Sequence, residues 1–125
     1  MYDSLSSSTA CRPARRRHAA PRPCNQVIAL VAQKKNVSAQ VLTDTRRGRL
    51  PIARARQLAM YLSHVVLGRT LAEIGEVFRR DRTTVSYACA LIEDMRDDPR
   101  FDDEVAALER QIEAAMAAAG SRTHA

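Results

Sequence analysis

The stretch from residue 54 to 95 constrains the fold of this chain most, because it contains two strong helix-start signals close together. Thr70 is followed three residues later by Glu73, the sequence pattern of a capping box. Asp81 is a second N-cap candidate. Behind each cap, apolar residues recur at three- and four-residue steps. They are Leu71, Ile74, Val77 and Phe78, then Val85, Ala88, Cys89, Ile92 and Met95. The pattern predicts a short helix, a tight turn and a second helix.

The second helix carries polar side chains on its first turn and opposite its apolar stripe. These side chains are Arg82, Thr83, Thr84, Ser86 and Tyr87. A short helix, a turn and a polar-fronted helix form the pattern of a helix-turn-helix, whose second helix enters the major groove of DNA. Arg and Thr suit base edges there, and a helix N-terminus favours phosphate. The spacing is a weak pattern by itself and equally fits a helical hairpin with a solvated polar face.

Three segments narrow this choice. ARQLAMYL (residues 55–62), LAEIGEVF (71–78) and DRTTVSYA (81–88) resemble the C-terminal DNA-binding domain of the bacterial replication initiator DnaA, over roughly residues 25–95. The resemblance implies an all-α domain that contains a helix-turn-helix. It also implies that a basic loop, TRRGR at residues 45–49, inserts an arginine into the minor groove. Arg56 then matches the arginine of the family's ARQ segment, and residues 81–84 match its D-H-T-T segment.

The chain departs from this family's pattern at four places. Arg82 and Tyr87 stand where the family has histidines. The turn FRRD is one residue shorter than the usual F-G-G-R-D, and one residue is added between Arg49 and Ala53. DNA binding is expected despite these changes, but recognition of the same DNA box does not follow. The predicted DNA-binding residues are Arg46, Arg47, Arg49, Arg54, Arg56, Gln57, Arg80, Asp81, Arg82, Thr83, Thr84, Ser86 and Tyr87.

The remaining pattern predicts where the domain begins and ends. Residues 1–24 are rich in Ser, Pro and Arg and predict a disordered basic leader. The DnaA-like domain is predicted over 25–96: a helix up to about Lys35, a short turn capped by Ser38, a loop over 43–51, and a long helix ended by Gly68. An acidic linker and a C-terminal helix follow over 97–118, and a disordered tail over 119–125. Cys24 is expected beside the leader, and Cys89 in the core.

The C-terminal helix has an apolar stripe formed by Val105, Leu108 and Ile112, continued by Ala115 or Met116. Two interpretations fit this stripe. The helix folds back onto its own domain, or it forms a homodimer contact, which would suit a helix-turn-helix that binds paired half-sites. The stripe is too short to predict an autonomous coiled coil.

The charge is unevenly distributed along the chain. Residues 1–56 hold 12 Lys or Arg against 2 acidic residues, whereas residues 57–125 hold 8 against 12. The basic half suits double-stranded DNA as a partner, and the acidic end should point away from it. Arginines of the leader either contact phosphate nonspecifically or are simply solvated.

The sequence contains no pattern that predicts a catalytic or metal-binding site. The three cysteines lack CxxC spacing and are interpreted as reduced thiols, and the three histidines form no ligand cluster. The acidic residues 97–104 lack the pattern of a calcium loop, no GxxxxGK[ST] segment occurs, and no apolar stretch is long enough for a membrane span. We therefore predict no enzyme, cofactor, metal or small-molecule substrate, and a cytoplasmic, nucleoid-associated protein.

Three hypotheses for function follow. The first is a stand-alone module that binds specific DNA sequences and regulates transcription or replication. The second is a protein-interaction module that kept the DnaA-like fold without specific DNA recognition. The third is an accessory of a DNA-processing enzyme, which would require a catalytic partner. Selection from random DNA sequences separates the first two, because only base recognition enriches a motif.

Overall fold

The computed structural model describes residues 21–44 and 49–124, and it is all-helical over that part of the chain. The helices are α1 (Pro21–Lys35), α2 (Ala39–Thr43), α3 (Leu50–Val65), α4 (Leu71–Phe78), α5 (Arg82–Met95) and α6 (Pro99–His124). Side chains are described from residue 24 to 118 within these ranges. The prediction of an all-α fold is confirmed. The leader over residues 1–20 and Arg46 and Arg47 of the basic loop lie outside the described residues.

Helix α3 is the centre of the domain, because α1, α2, α4 and α5 all pack against it. Its residues 55, 56 and 58–63 are all buried, so almost every side of the helix is covered. The other helices each contribute one apolar face to the same core. That face includes Val27 and Val31 of α1, Leu42 of α2, Ile74 and Phe78 of α4, and Val85, Ala88 and Ile92 of α5.

The helix-start signals of the sequence are present as hydrogen bonds. The Glu73 backbone N–H donates to the Thr70 hydroxyl (3.1 Å), and the Thr70 N–H donates to the Glu73 carboxylate (3.0 Å), which completes the capping box. Thr84 N–H donates to the Asp81 carboxylate (2.8 Å) at the start of α5. Ser38 caps α2 by accepting from the Gln40 N–H (3.2 Å). These caps fix where α2, α4 and α5 begin.

The turn between α4 and α5 is tight and has an unusual composition. Arg79 ends α4 in the left-handed region (φ 58°), a conformation that usually favours glycine. The Arg80 N–H then donates back to the carbonyl oxygen of Gly75 (2.9 Å). A Cβ atom at Gly75 would lie only 2.5 Å from the carbonyl oxygen of Arg80. Gly75 is therefore required because the backbone of the turn folds directly over it.

Substitution of Gly75 by alanine should destabilise the protein. Alanine in a helix normally gains about 1 kcal/mol over glycine, but here the backbone contact should reverse the sign and cost about 1–3 kcal/mol. Arg79→Gly is the matched opposite change, expected to stabilise by about 1 kcal/mol because it relieves the left-handed backbone. Urea denaturation measures both. A Gly75→Ala protein as stable as the parent would show that the turn does not pack against α4.

Helix α6 folds back onto the domain and packs against α1. Val105, Leu108 and Ile112 are fully buried, which supports the folded-back interpretation of the C-terminal stripe. Lys35 of α1 forms a salt bridge with Glu104 of α6. At the junction between α5 and α6, Arg96 pairs with Asp102 and Glu109 and donates to the Tyr61 hydroxyl (3.0 Å). The acidic residues of α6 thus serve partly to attach the helix.

Several boundaries differ from those that the periodicity predicts. Helix α1 begins at Pro21, before the predicted Asn25, and Cys24 is 1% exposed, so this cysteine belongs to the core rather than to the edge of a leader. Helix α3 begins at Leu50, with Pro51 in the first turn, where its missing N–H costs no helical hydrogen bond. Helix α6 continues to His124, through most of the predicted tail.

Three further details differ from the predicted pattern. Gly68 has a positive φ of 72° as predicted for a helix-ending glycine, but α3 already ends at Val65, so Gly68 is not the residue directly after the C-cap. Val65 continues the apolar spacing of Leu58 and Leu62 in the sequence of α3, yet it is 43% exposed. Cys89 is only partly buried, although it packs against the core as predicted.

Burial raises the pKa of both Cys24 and Cys89, which keeps their thiols protonated at neutral pH. Within residues 21–44 and 49–124, no helix has the length and apolar character needed to span a bilayer. In the same part of the chain, no three His, Cys, Asp or Glu side chains are grouped so that they could hold a metal ion.

Candidate nucleic-acid interface

The first turn of α5 presents a continuous polar surface. Arg82, Thr83 and Thr84 are all exposed, and Ser86 and Tyr87 continue the surface into the second turn. Val85 and Ala88, on the opposite face, are buried. Burial of that face against the core fixes which side of α5 faces outward. The five polar residues predicted to contact DNA are therefore brought together on one accessible face.

Asp81 determines where this surface begins. Its carboxylate accepts from the Thr84 backbone N–H, and this hydrogen bond is the main cause of a lowered pKa at Asp81. The carboxylate is therefore ionised, and the cap formed, at neutral pH; it would be lost only as the pH falls through that lowered value. Asp81 is exposed, but its carboxylate is engaged in capping the helix.

Tyr87 is the largest exposed aromatic side chain of the described residues, at 65% exposure. It lies one helical turn after Thr83, on the same side of α5. An aromatic ring in this position offers a flat apolar surface and a phenolic hydroxyl to whatever molecule covers the helix. The histidine expected from the family would be smaller and would change charge near neutral pH.

The N-terminal end of α3 carries a second group of predicted residues. Arg49 is the N-cap residue of α3 and is exposed. Arg54 and Gln57 are half-buried and form a hydrogen bond between the Arg54 guanidinium and the Gln57 side-chain oxygen (3.0 Å). Arg46 and Arg47 precede this group in the chain but are not among the described residues.

Two of the arginines predicted to contact DNA, Arg56 and Arg80, are bonded to backbone carbonyls inside the domain. Arg56 is only 5% exposed, and its guanidinium donates to the carbonyl oxygens of Leu42 (2.8 Å) and Val41 (3.0 Å). Arg80 is half-buried and donates to the carbonyl oxygens of Phe78 (2.9 Å) and Asp44 (3.1 Å). Burial and the neighbouring Arg80 both lower the pKa of Arg56. These side chains are used inside the domain, against the end of α2.

Arg79, at the left-handed position of the turn, is an exposed basic residue that is not among the predicted DNA contacts, although the sequence FRRD places it directly before Arg80. The carbonyl oxygens at the end of α2, which accept from Arg56 and Arg80, are also outside the predicted site. No sequence pattern indicates such long-range bonds to backbone.

The acidic part of the chain lies at the far end of α5. Helix α5 has 14 residues, about 21 Å at the α-helical rise of 1.5 Å per residue. Asp97 and Asp98, which follow its last turn, are consequently separated from Arg82 by about that distance. The polar first turn of α5 thus stands apart from the negative charge of the α5–α6 junction.

Comparison with known proteins identifies the family. The family model described as "Bacterial dnaA protein helix-turn-helix" matches residues 24–92, more than half of the chain. The match covers α1 to α5 up to Ile92, which includes the capping box, the turn and the polar first turn of α5. All of α6 lies beyond the matched range.

Individual relatives agree with this match. The protein named chromosomal replication initiator protein DnaA of Agrobacterium fabrum is 44% identical over 85 residues, which cover 66% of this chain and 17% of that protein. Its namesake in Brucella abortus is 42% identical over 89 residues, 70% of this chain and 18% of that protein. The chain therefore spans less than a fifth of the length of these relatives.

A solved structure extends the similarity to three dimensions. The crystal structure of a DNA replication initiation factor superposes with a TM-score of 0.70 at 29% sequence identity, covering 80% of this chain and 31% of that one. The family model, the relatives and the shared fold lead to one conclusion: the chain belongs to the family of helix-turn-helix domains of the bacterial replication initiator DnaA.

Proposed function

We propose that the protein binds double-stranded DNA at specific sequences by inserting the first turn of α5 into the major groove. The observation that carries this proposal is the exposed surface of Arg82, Thr83, Thr84, Ser86 and Tyr87, set on a helix whose opposite face is buried. Arg offers a fork of donors that matches guanine, and Thr offers a hydroxyl or a methyl group. A rigidly held helix presents such side chains at fixed positions, which base recognition requires.

The basic loop supplies a second contact in this proposal. Arg46, Arg47 and Arg49 follow α2 directly and precede α3, and the resemblance to the DnaA domain implies that one of them enters the minor groove. A narrow minor groove has an enhanced negative potential that attracts arginine. Arg54 and Gln57, one to two turns into α3, would contact the phosphate backbone between the two grooves.

The biological role proposed for this binding is regulation of replication or transcription. A small module of this kind acts by occupying DNA sites and thereby recruiting or blocking other proteins. The relatives' name, chromosomal replication initiator, supports a link to replication. The protein would work in the cytoplasm on the nucleoid. A homodimer through the C-terminal helix would have to use exposed positions around Met116, since Val105, Leu108 and Ile112 are buried within the chain.

Selection from random double-stranded DNA, followed by fluorescence anisotropy on the selected site, tests the proposed function. We expect an enriched motif and an affinity that exceeds nonspecific binding by about a thousandfold or more at physiological salt. A basic protein of matched net charge is the control. Failure to enrich any motif, with affinity equal to that of the control, would favour a protein-interaction module that kept the fold.

Arg47→Ala should weaken binding and reduce the preference for A·T base pairs beside the major-groove site. The physical reason is that the width of the minor groove, and hence its attraction for arginine, depends on sequence. A repeated selection with the variant measures the loss of preference. If binding weakens equally on every sequence, with only a smaller salt dependence, Arg47 contacts phosphate instead of the groove.

A further inference from the structure

Arg80 connects two parts of the interface that are far apart in sequence. One nitrogen of its guanidinium donates to the Phe78 carbonyl oxygen at the end of α4 (2.9 Å). The other donates to the carbonyl oxygen of Asp44 (3.1 Å), 36 residues earlier in the chain. Asp44 is the C-cap residue of α2 and the last residue before the basic loop. The turn that leads into α5 is thus bonded directly to the residue that precedes that loop.

Arg56 donates to the same segment. It donates to the carbonyl oxygens of Val41 and Leu42, so that two arginines together bind three backbone carbonyls over residues 41–44. The C-terminal end of a helix leaves carbonyl oxygens without helical partners, and positive charge there is favourable. Burial and the nearby Arg80 lower the pKa of Arg56, and the negative charge of Asp44 opposes that shift.

We propose that Arg80 is a positioning residue for DNA recognition: by holding the Asp44 carbonyl, it keeps the end of α2, after which the basic loop follows in the chain, in a fixed place relative to α5. This inference rests on the proposed function, because it concerns how the two contacts cooperate. It differs from the expectation that Arg80 itself contacts DNA. Both terminal nitrogens of the guanidinium already donate to backbone carbonyls within the domain.

The bonding pattern also explains why an arginine is needed at this position. Its planar fork reaches the Phe78 and Asp44 carbonyl oxygens simultaneously from one rigid group. A lysine keeps the charge but concentrates it in one flexible ammonium group. Arg80→Lys therefore separates positioning from simple attraction to phosphate, which a lysine provides as well.

The test is a double-mutant cycle on the selected DNA site, measured by anisotropy at reduced salt. The loop variant carries Arg46→Ala, Arg47→Ala and Arg49→Ala together. Arg80→Ala and Arg80→Lys are each made in the wild-type and in the loop variant, and thermal unfolding checks that every protein is folded. Positioning predicts that either change at Arg80 lowers affinity about tenfold in the wild-type background, within the range of coupling between residues of one network. The same change should have less than about a twofold effect in the loop variant.

A direct phosphate contact predicts the opposite pattern. Arg80→Ala would then weaken binding by the same factor in both backgrounds and reduce the salt slope of the loop variant by about 0.9, while Arg80→Lys would keep most of the affinity. That result would overturn the inference and leave the proposed function intact. If Arg80→Ala fails to fold, the Arg80→Lys cycle decides by itself. A wild-type protein that selects no DNA motif would instead refute the proposed function.

Discussion

Replacing Arg56 with methionine should lower the free energy of unfolding by about 2–4 kcal/mol. Arg56 is 5% exposed, and its guanidinium donates to the carbonyl oxygens of Val41 and Leu42. Methionine retains an unbranched apolar side chain but leaves both carbonyls without this donor. A buried group that loses its partner costs about 1–3 kcal/mol. Methionine also removes a charge that is costly to bury, and this partly offsets the destabilisation. The expected loss of unfolding free energy is therefore smaller than the full cost of two unpaired carbonyls.

Urea denaturation of Arg56→Met beside Arg54→Met measures this effect. Arg54 lies on the same helix, is half-buried, and bonds to the Gln57 side chain rather than to backbone. Its replacement should change stability by less than about 1 kcal/mol, as is typical away from a buried network. An Arg56→Met protein with unchanged stability and strongly reduced DNA affinity would show that Arg56 acts on DNA and not on α2.

The contrast between Arg56 and the helix caps shows which features were predictable from sequence. Thr70, Glu73 and Asp81 form their hydrogen bonds within three residues, so the local sequence contains both partners. The partners of Arg56 are backbone carbonyls 14 and 15 residues away. Every residue has a carbonyl, so nothing in the sequence distinguishes these two. The sequence predicts a DNA contact at Arg56, from its match to the family's ARQ segment and its place near the start of α3, and gives no sign of these bonds to backbone.

Periodicity has a related limit at the ends of helices. It predicted the cores of α3, α4 and α5 because one face of each helix is apolar. It placed the start of α1 too late, since the two prolines before Cys24 suggest a loop, whereas proline in a first helical turn is well tolerated. It ended α6 too early, because alanines carry no apolar pattern yet favour helix. Both helices thus continue past their periodic apolar residues, where residues that are compatible with a helix follow one another without an apolar pattern.

The polar face of α5 was predictable for a simple physical reason. A helix that buries one face must expose the other, so Val85 and Ala88 determine where Arg82, Thr83 and Tyr87 point. Only the tertiary structure reveals that Arg80, one residue before the Asp81 cap, points inward to Asp44. Arg80 is thus bonded within the domain, whereas Arg82, two residues later, is exposed on the polar face of α5.

Changing Arg82 to histidine, the residue expected from the family, should shift the preferred base at one position of the selected site. Arg82 is the first residue of α5, is exposed, and stands directly after the Asp81 cap. An arginine there favours the O6 and N7 atoms of guanine, to which its fork donates two hydrogen bonds. An imidazole offers one donor and one acceptor when neutral and cannot reproduce that pair. On the original site the change should cost about 1–3 kcal/mol, the value of one good bidentate contact.

Selection and anisotropy on Arg82→His, Thr83→Ala and Arg110→Ala give the decisive comparison. Thr83→Ala should also weaken specific binding, because its side chain is exposed on the same turn of α5. Arg110 is an exposed arginine on the distal helix α6. Arg110→Ala removes one positive charge, as the loss of Arg82 does, but away from α5, so it should leave binding nearly unchanged. If Arg82→His returns the unaltered motif at unaltered affinity, Arg82 does not contact a base. Base recognition would then have to reside in Thr83, Thr84 and Tyr87, with α5 entering the groove further along its length.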